Sequence, residues 1–174
     1  HMIDACHYRF SHRLLILNHM IDLSPVLEHV LYYQQKGFLD AHYSSAKYAK
    51  DLLSYFKIGN EHLYPGYHYL LQNLAAIYFC PTEYLLWMTC DSIIANHEPW
   101  IDAAIERLQA VPWLIAANPI WNFAHQEALA EALKQDQDFY LARGFTDQCF
   151  LIPVARFRNA IYTYDHPASA RYPA

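Results

Sequence analysis

An acidic residue follows the most apolar segment of the chain. Glu83–Met88 reads EYLLWM, and Asp91 comes shortly after it, ahead of the apolar pair Ile93 and Ile94. A carboxylate just beyond a buried strand does not stabilise a core, but its hard oxygen atoms suit Mg²⁺ or Mn²⁺ held against a diphosphate. The same side chain could instead cap the turn after the strand. Asp91 is therefore a candidate metal ligand, and capping of the turn is its alternative role.

The sequence lacks the motifs of other common metal-binding and nucleotide-binding sites. The chain has 11 histidines, yet none forms HExxH or a zinc-finger spacing, which argues against a dedicated zinc site. It has four glycines and no GxGxxG, Walker or GxSxG pattern, so a glycine-rich phosphate-binding loop is not expected. A bound diphosphate would need a metal ion or cationic side chains.

Short apolar runs alternate with helical patterns along the chain. Apolar residues at spacings of three and four predict a helix that begins with Ser24 as its N-cap, has Pro25 in its first turn and ends at Gly37. Further helices are expected after Ser45 and at Tyr67–Tyr78, Pro99–Ala110 and Phe123–Gln135, and strands at Leu14–Leu17, Phe38–Asp40, Tyr84–Met88 and Leu114–Ala117.

This alternation of strands and helices is typical of an α/β fold. We expect a mainly parallel central sheet flanked by helices on both faces, like the nucleotide-binding half of a Rossmann-like protein. In open sheets of this kind, ligands bind beyond the carboxyl ends of the strands. Asn18, Asp40, Ser44 and Asp91 all lie at or just beyond predicted strand ends, so the sequence predicts that they line one donor-binding cleft.

The segment Trp87–Ile93, which reads WMTCDSI, resembles the W-M-D-x-D-x-I signature of GT-A fold glycosyltransferases. Asp91 keeps the second aspartate of that signature, and Thr89 replaces the first. The resemblance implies that Asp91 contacts a divalent metal and that position 89 reaches the sugar nucleotide. Because Thr89 carries no charge, it also implies that Mn²⁺ or Mg²⁺ binds weakly.

Two further stretches carry the same resemblance. Residues 38–45 (FLDAHYSS) are similar to the V-D-x-x-S of these enzymes, which implies that Asp40 meets the nucleobase or ribose. Residues 144–151 (GFTDQCFL) are similar to the G-F-S-D-Q-x-F-L of bacterial polysaccharide glycosyltransferases, which implies that Asp147 is the catalytic base. A late histidine often completes the metal site in this family, which points to His166, although that residue could equally be an exposed turn residue.

The implied activity is transfer of a sugar from a nucleotide-diphosphate donor to a hydroxyl group of a glycan or lipid-linked acceptor. Two alternatives remain open. Thr89 in place of aspartate favours an inactive GT-A-like binding or assembly module. An unrelated α/β nucleotide-binding enzyme, such as a nucleotidyltransferase, is the other, but no Lys or Arg lies between Leu17 and Pro25 to hold a triphosphate.

Length and composition indicate the number of domains, the excluded partners and the cellular location. We expect a single domain over residues 3–174, with residues 1–2 a tag remnant and the C-terminus truncated because no closing helix is predicted. The net charge of −5 argues against a nucleic-acid partner. Four cysteines without CxxC spacing favour reduced thiols and a cytoplasmic location. No apolar run reaches the length of a transmembrane segment.

Overall fold

The computed structural model describes residues 4–18, 20, 22–59, 67–95, 98–136, 138–144 and 146–164. These residues fall into two compact units. Unit 1 comprises those within 1–9 and 86–153, and unit 2 those within 10–85 and 154–174. No helix among the described residues is both long enough and apolar enough to cross a lipid bilayer.

Helices and short strands alternate through both units. The helices are α1 (Ser24–Gln35), α2 (Ala49–Phe56), α3 (Tyr67–Phe79), α4 (Ile101–Ala110), α5 (His125–Glu131) and α6 (Val154–Phe157), with short 3-10 turns at Asp4–Cys6 and Trp121–Phe123. The strands are β1 (Leu14–Leu17), β2 (Ala41–Ser44), β3 (Tyr84–Met88), β4 (Lys134–Asp136), β5 (Phe139–Leu141) and β6 (Cys149–Pro153).

The two ends of α1 follow from local chemistry. Ser24 is the first helical residue rather than the expected N-cap, and its backbone N–H donates to the Asp22 carboxylate at 2.9 Å. The predicted stop at Gly37 is confirmed, since this residue adopts a left-handed φ of 70°. Phe38 N–H then donates back to the Tyr33 carbonyl at 2.9 Å, and the two rings contact edge to face.

In unit 2, β1 and β2 form a parallel pair in which Leu14 lies opposite Ala41 and Leu17 opposite Ser44. The prediction of β1 is confirmed, but β2 begins at Ala41 and not at Phe38. The reason is that the Phe38 N–H bonds to the end of α1, so the chain is still closing that helix. Helix α3 packs against β1 and α2.

In unit 1, β3 continues past Leu86 and pairs with β6. Thr89 N–H donates to the Gln148 carbonyl in unit 1, and Val154 N–H donates to the Glu83 carbonyl in unit 2. These bonds lie at opposite ends of the pair, so the strands run antiparallel. Helix α4 packs against β6 and buries Ile101, Ala104 and Leu108. Strands β4 and β5 form a separate antiparallel hairpin.

The expected mainly parallel central sheet with helices on both faces is wrong. The described strands form three separate two-stranded sheets, and only β1–β2 is parallel. The predicted strand Leu114–Ala117 contributes one isolated antiparallel bridge, from Ala117 to Leu151. Pro119 follows shortly after and has no N–H to extend a ladder. The predicted helix Phe123–Gln135 ends at Glu131, because the chain turns there into the β4–β5 hairpin.

Candidate functional site

The turn after β3 presents Asp91 to solvent. Ser92 N–H donates to the Thr89 carbonyl at 3.1 Å, which closes a four-residue turn with Cys90 and Asp91 at its corners. Both corner residues are exposed, whereas Ser92 is buried. The turn therefore directs the carboxylate outward while anchoring itself inward.

The anchor of this turn is one backbone carbonyl. Thr89 N–H and Ser92 Oγ donate to the Gln148 carbonyl at 2.9 and 3.2 Å, and Thr89 Oγ1 lies 2.6 Å from Ser92 Oγ. Gln148 immediately precedes β6 and follows Asp147. The Asp91 turn and the Asp147 segment, which the sequence separates by more than fifty residues, are thus joined in unit 1.

Asp147 lies on a segment that is fixed through its backbone. Its carbonyl accepts a hydrogen bond of 3.1 Å from the Trp87 indole N–H, and the Gln148 N–H donates to Thr146 Oγ1 at 3.2 Å. The Trp87 ring is buried and stacks against Phe150 of β6. The Asp147 residue itself is exposed, so its carboxylate is available to a molecule from solvent.

The carboxyl ends of β1 and β2 bring two predicted site residues together in unit 2. Ser44 lies opposite Leu17, the residue before Asn18. The buried Ser45 Oγ donates to Asn18 Oδ1 at 2.5 Å, and Ser45 N–H donates to the Leu17 carbonyl. A helix is predicted after Ser45, but α2 begins only at Ala49, and Ser45 instead links the ends of the two strands.

Asp40 lies at the other end of the same strand pair, because it precedes β2. Its carboxylate accepts hydrogen bonds from the Arg13 backbone N–H at 2.6 Å and from the Arg13 guanidinium at 3.3 Å. Partial burial acts to raise the pKa of Asp40, but these hydrogen bonds and the charges of Arg13 and His12 outweigh it and lower the pKa below 3.8. The structure does not bring Asp40 to the strand ends where Asn18 and Ser44 lie.

The described residues contain no group of three or more His, Cys, Asp or Glu side chains able to hold a metal ion. A magnesium or manganese ion bound mainly by substrate phosphates needs only one or two protein carboxylates. The exposed Asp91 fits that smaller requirement. The other predicted ligand, His166, lies outside the described residues.

Three residues that organise the site were not singled out as functional by the sequence: Trp87, Ser92 and Gln148. Trp87 had a signal, because a buried tryptophan requires an acceptor for its N–H. The sequence carries no signal that distinguishes Ser92, and Gln148 contributes here through its backbone. Arg158 donates hydrogen bonds to the carbonyls of Ile77, Tyr78 and Cys80 in unit 2.

Comparison with protein-family models, with curated proteins and with solved structures finds no match to the chain. A function is therefore inferred from the residues of the site themselves.

Proposed function

We propose that this protein transfers a sugar from a nucleotide-diphosphate donor to a hydroxyl acceptor in glycan or polysaccharide synthesis. The observation that carries the proposal is the joining of two exposed carboxylate segments at one backbone carbonyl, that of Gln148. Asp91 lies in the turn after β3 and Asp147 just before β6, and both turn segments are bonded at this carbonyl. The reaction needs two such acidic functions.

In an inverting transfer, the acceptor oxygen bonds to the anomeric carbon while the bond from that carbon to the diphosphate oxygen breaks. The acceptor proton passes to a carboxylate, and nucleoside diphosphate leaves. Asp147 is suited to receive the proton, because it is exposed and its backbone is tied to β3.

Asp91 is assigned to the donor end. Its exposed carboxylate would hold Mn²⁺ or Mg²⁺ together with the donor's phosphates. When bound, the metal supplies positive charge that stabilises the departing diphosphate. Since one carboxylate is a weak ligand set, we expect metal and nucleotide to bind tightly only together.

The test is a thermal-shift and calorimetric screen of UDP- and GDP-sugars with and without Mn²⁺, followed by assays for nucleoside diphosphate release. Asp91→Ala should abolish metal-dependent nucleotide binding. Asp147→Asn should preserve binding and lower turnover by at least about 100-fold. Asp138→Ala, which removes another exposed carboxylate of unit 1, is the matched control and should change neither property.

The outcomes separate the candidate functions. Nucleotide binding that is unchanged by both EDTA and Asp91→Ala contradicts the metal role. Full turnover in Asp147→Asn contradicts the base. Metal-dependent binding without turnover for any acceptor would favour the binding-module alternative.

A further inference from the structure

The hydroxyl protons around Gln148 have only one consistent arrangement. A carbonyl oxygen accepts and never donates, so Ser92 must donate its own hydroxyl proton to the Gln148 carbonyl. The 2.6 Å contact between Thr89 Oγ1 and Ser92 Oγ then requires Thr89 to be the donor. The result is a directed chain from Thr89 through Ser92 to Gln148.

This chain saturates its acceptor. The Gln148 carbonyl has two lone pairs, and they are taken by Ser92 Oγ–H and by Thr89 N–H. Ser92 is 8% exposed, so water does not readily replace its partners. Loss of the Thr89 hydroxyl therefore leaves the Ser92 oxygen without its donor inside the protein.

A carboxylate at position 89 would disrupt this series of hydrogen bonds. An ionised aspartate only accepts hydrogen bonds, so Ser92 would turn its proton toward residue 89 and release the Gln148 carbonyl. A hydroxyl donor is thus required at position 89 for the clasp, which we define as the hydrogen bonds that join Thr89, Ser92 and the Gln148 carbonyl.

We propose that Thr89 is a positioning residue, which uses its hydroxyl to clasp the Asp147 segment to the Asp91 turn and does not itself bind the donor. The inference rests on the proposed function, because it assigns Thr89 a role in the same site. It explains why a neutral residue can occupy the position: its side chain faces the protein's own hydrogen-bond network.

The test uses four variants of the full chain. Thr89→Val and Ser92→Ala remove one hydroxyl each, Thr89→Asp inserts the carboxylate, and Thr89→Ser keeps the hydroxyl. Thr82→Val is the matched control, because it removes a threonine hydroxyl that donates a hydrogen bond at the other end of β3, to the Tyr84 carbonyl. The readouts are amide hydrogen exchange in residues 86–92 and 146–150 of the free protein, and kcat and KM for UDP- or GDP-sugar consumption with Mn²⁺.

We expect Thr89→Val, Ser92→Ala and Thr89→Asp to speed exchange in both segments and to lower kcat by about tenfold, with KM for the donor within about twofold. Thr89→Ser should recover the exchange protection and most of kcat. Thr82→Val should leave exchange in both segments as in the parent protein.

Two results overturn the inference. Unchanged exchange in Thr89→Val and Ser92→Ala removes the clasp, whatever the activity. Tighter Mn²⁺-dependent nucleotide binding in Thr89→Asp shows that position 89 faces the donor. If exchange responds as expected but the parent protein consumes no nucleotide-sugar, the proposed function fails, and the clasp is a structural link without a catalytic role.

Discussion

The indole N–H of Trp87 donates a hydrogen bond of 3.1 Å to the backbone carbonyl of Asp147. A buried ring near the end of β3 thus holds the segment that carries the candidate base. The same ring stacks on Phe150, with centroids 6.4 Å apart, so packing and hydrogen bonding act on one side chain. The two contributions can be separated by substitution.

Trp87→Phe should keep the aromatic contact and lose the hydrogen bond. The free energy of unfolding should fall by about 1 kcal/mol, because the Asp147 carbonyl loses one donor. Trp87→Ala should cost about 4 kcal/mol, because it also leaves a cavity. Urea unfolding of both variants measures the difference. A Phe variant as unstable as the Ala variant would show that the hydrogen bond, and not packing, dominates.

Arg158 ties α6 to the C-terminal end of α3. Its guanidinium donates to the carbonyls of Ile77, Tyr78 and Cys80, at 3.0, 3.1 and 2.6 Å for one terminal nitrogen. Arg158→Met should lower the free energy of unfolding by about 2 kcal/mol, since these carbonyls lose a charged donor. Arg158→Lys should recover only part of this lost free energy, because an ammonium group lacks the planar, multi-donor geometry of the guanidinium.

The matched control for Arg158 is Arg143→Met, which removes a positive charge from an exposed residue of unit 1. Its free energy of unfolding should stay within about 0.5 kcal/mol of the parent value. Equal losses in the two variants would mean that net charge, and not the bonds to α3, accounts for the effect.

Stability should decline at alkaline pH because of buried thiols. Burial, with a smaller effect from the Cys6 thiol, raises the pKa of Cys149 to about 12 from an ordinary 9.0. Burial also raises the pKa of Cys6. The folded state holds these protons where the unfolded chain releases them, so the stabilisation is complete below pH 9.0 and is lost as pH rises toward 12.

Chemical unfolding from neutral pH to about pH 10.5 measures this decline, and Cys149→Ser should make it shallower. Burial raises the pKa of Tyr162 as well, so the comparison is best made in a Tyr162→Phe background. An identical alkaline slope with and without the Cys149 thiol would contradict the prediction.

The Arg13–Asp40 pair should stabilise the folded state at neutral pH and lose this effect in acid. Hydrogen bonds from Arg13 lower the pKa of Asp40 below its ordinary 3.8 despite partial desolvation. The folded state therefore releases this proton more readily, so the stabilisation is present above pH 3.8 and is lost as pH falls through the lowered pKa.

Because the pair is partly exposed, its contribution should stay below about 1 kcal/mol. Asp40→Asn should flatten the acid limb of the stability curve without changing its alkaline limb. Arg13→Met should flatten the same limb, since it removes the partner. Acid titration of unfolding in both variants checks the assignment, and a steeper acid limb in either one would refute it.

Several elements of unit 2 were predictable because their signals are local. The bounds of β1 at Leu14–Leu17 agree with the apolar run. Helix α1 stops just before Gly37, because few other residues tolerate the positive φ found there. The end of the Tyr67–Tyr78 pattern agrees within one residue with α3. Each of these follows from neighbouring residues along the chain.

The candidate site was predictable only in part. The sequence placed Asn18, Asp40, Ser44 and Asp91 at predicted strand ends, and the resemblance of residues 144–151 pointed to Asp147. The parallel pairing of β1 with β2 does bring Asn18 and Ser44 to one edge. The sequence did not reveal that Asp40 precedes β2, because the apolar residues Phe38 and Leu39 resemble strand residues. In the structure, the Phe38 N–H instead bonds to the end of α1.

The spacing of apolar residues along the sequence indicates which segments form helices or strands, because each element buries residues at its own period. This spacing does not determine which strands pair, because every strand offers the same backbone donors and acceptors. The pairing of β3 with β6, the isolated bridge from Ala117 to Leu151 and the two hydrogen bonds to the Gln148 carbonyl all join distant parts of the chain. Only tertiary packing, which decides which carbonyl lies within reach of which donor, could select them.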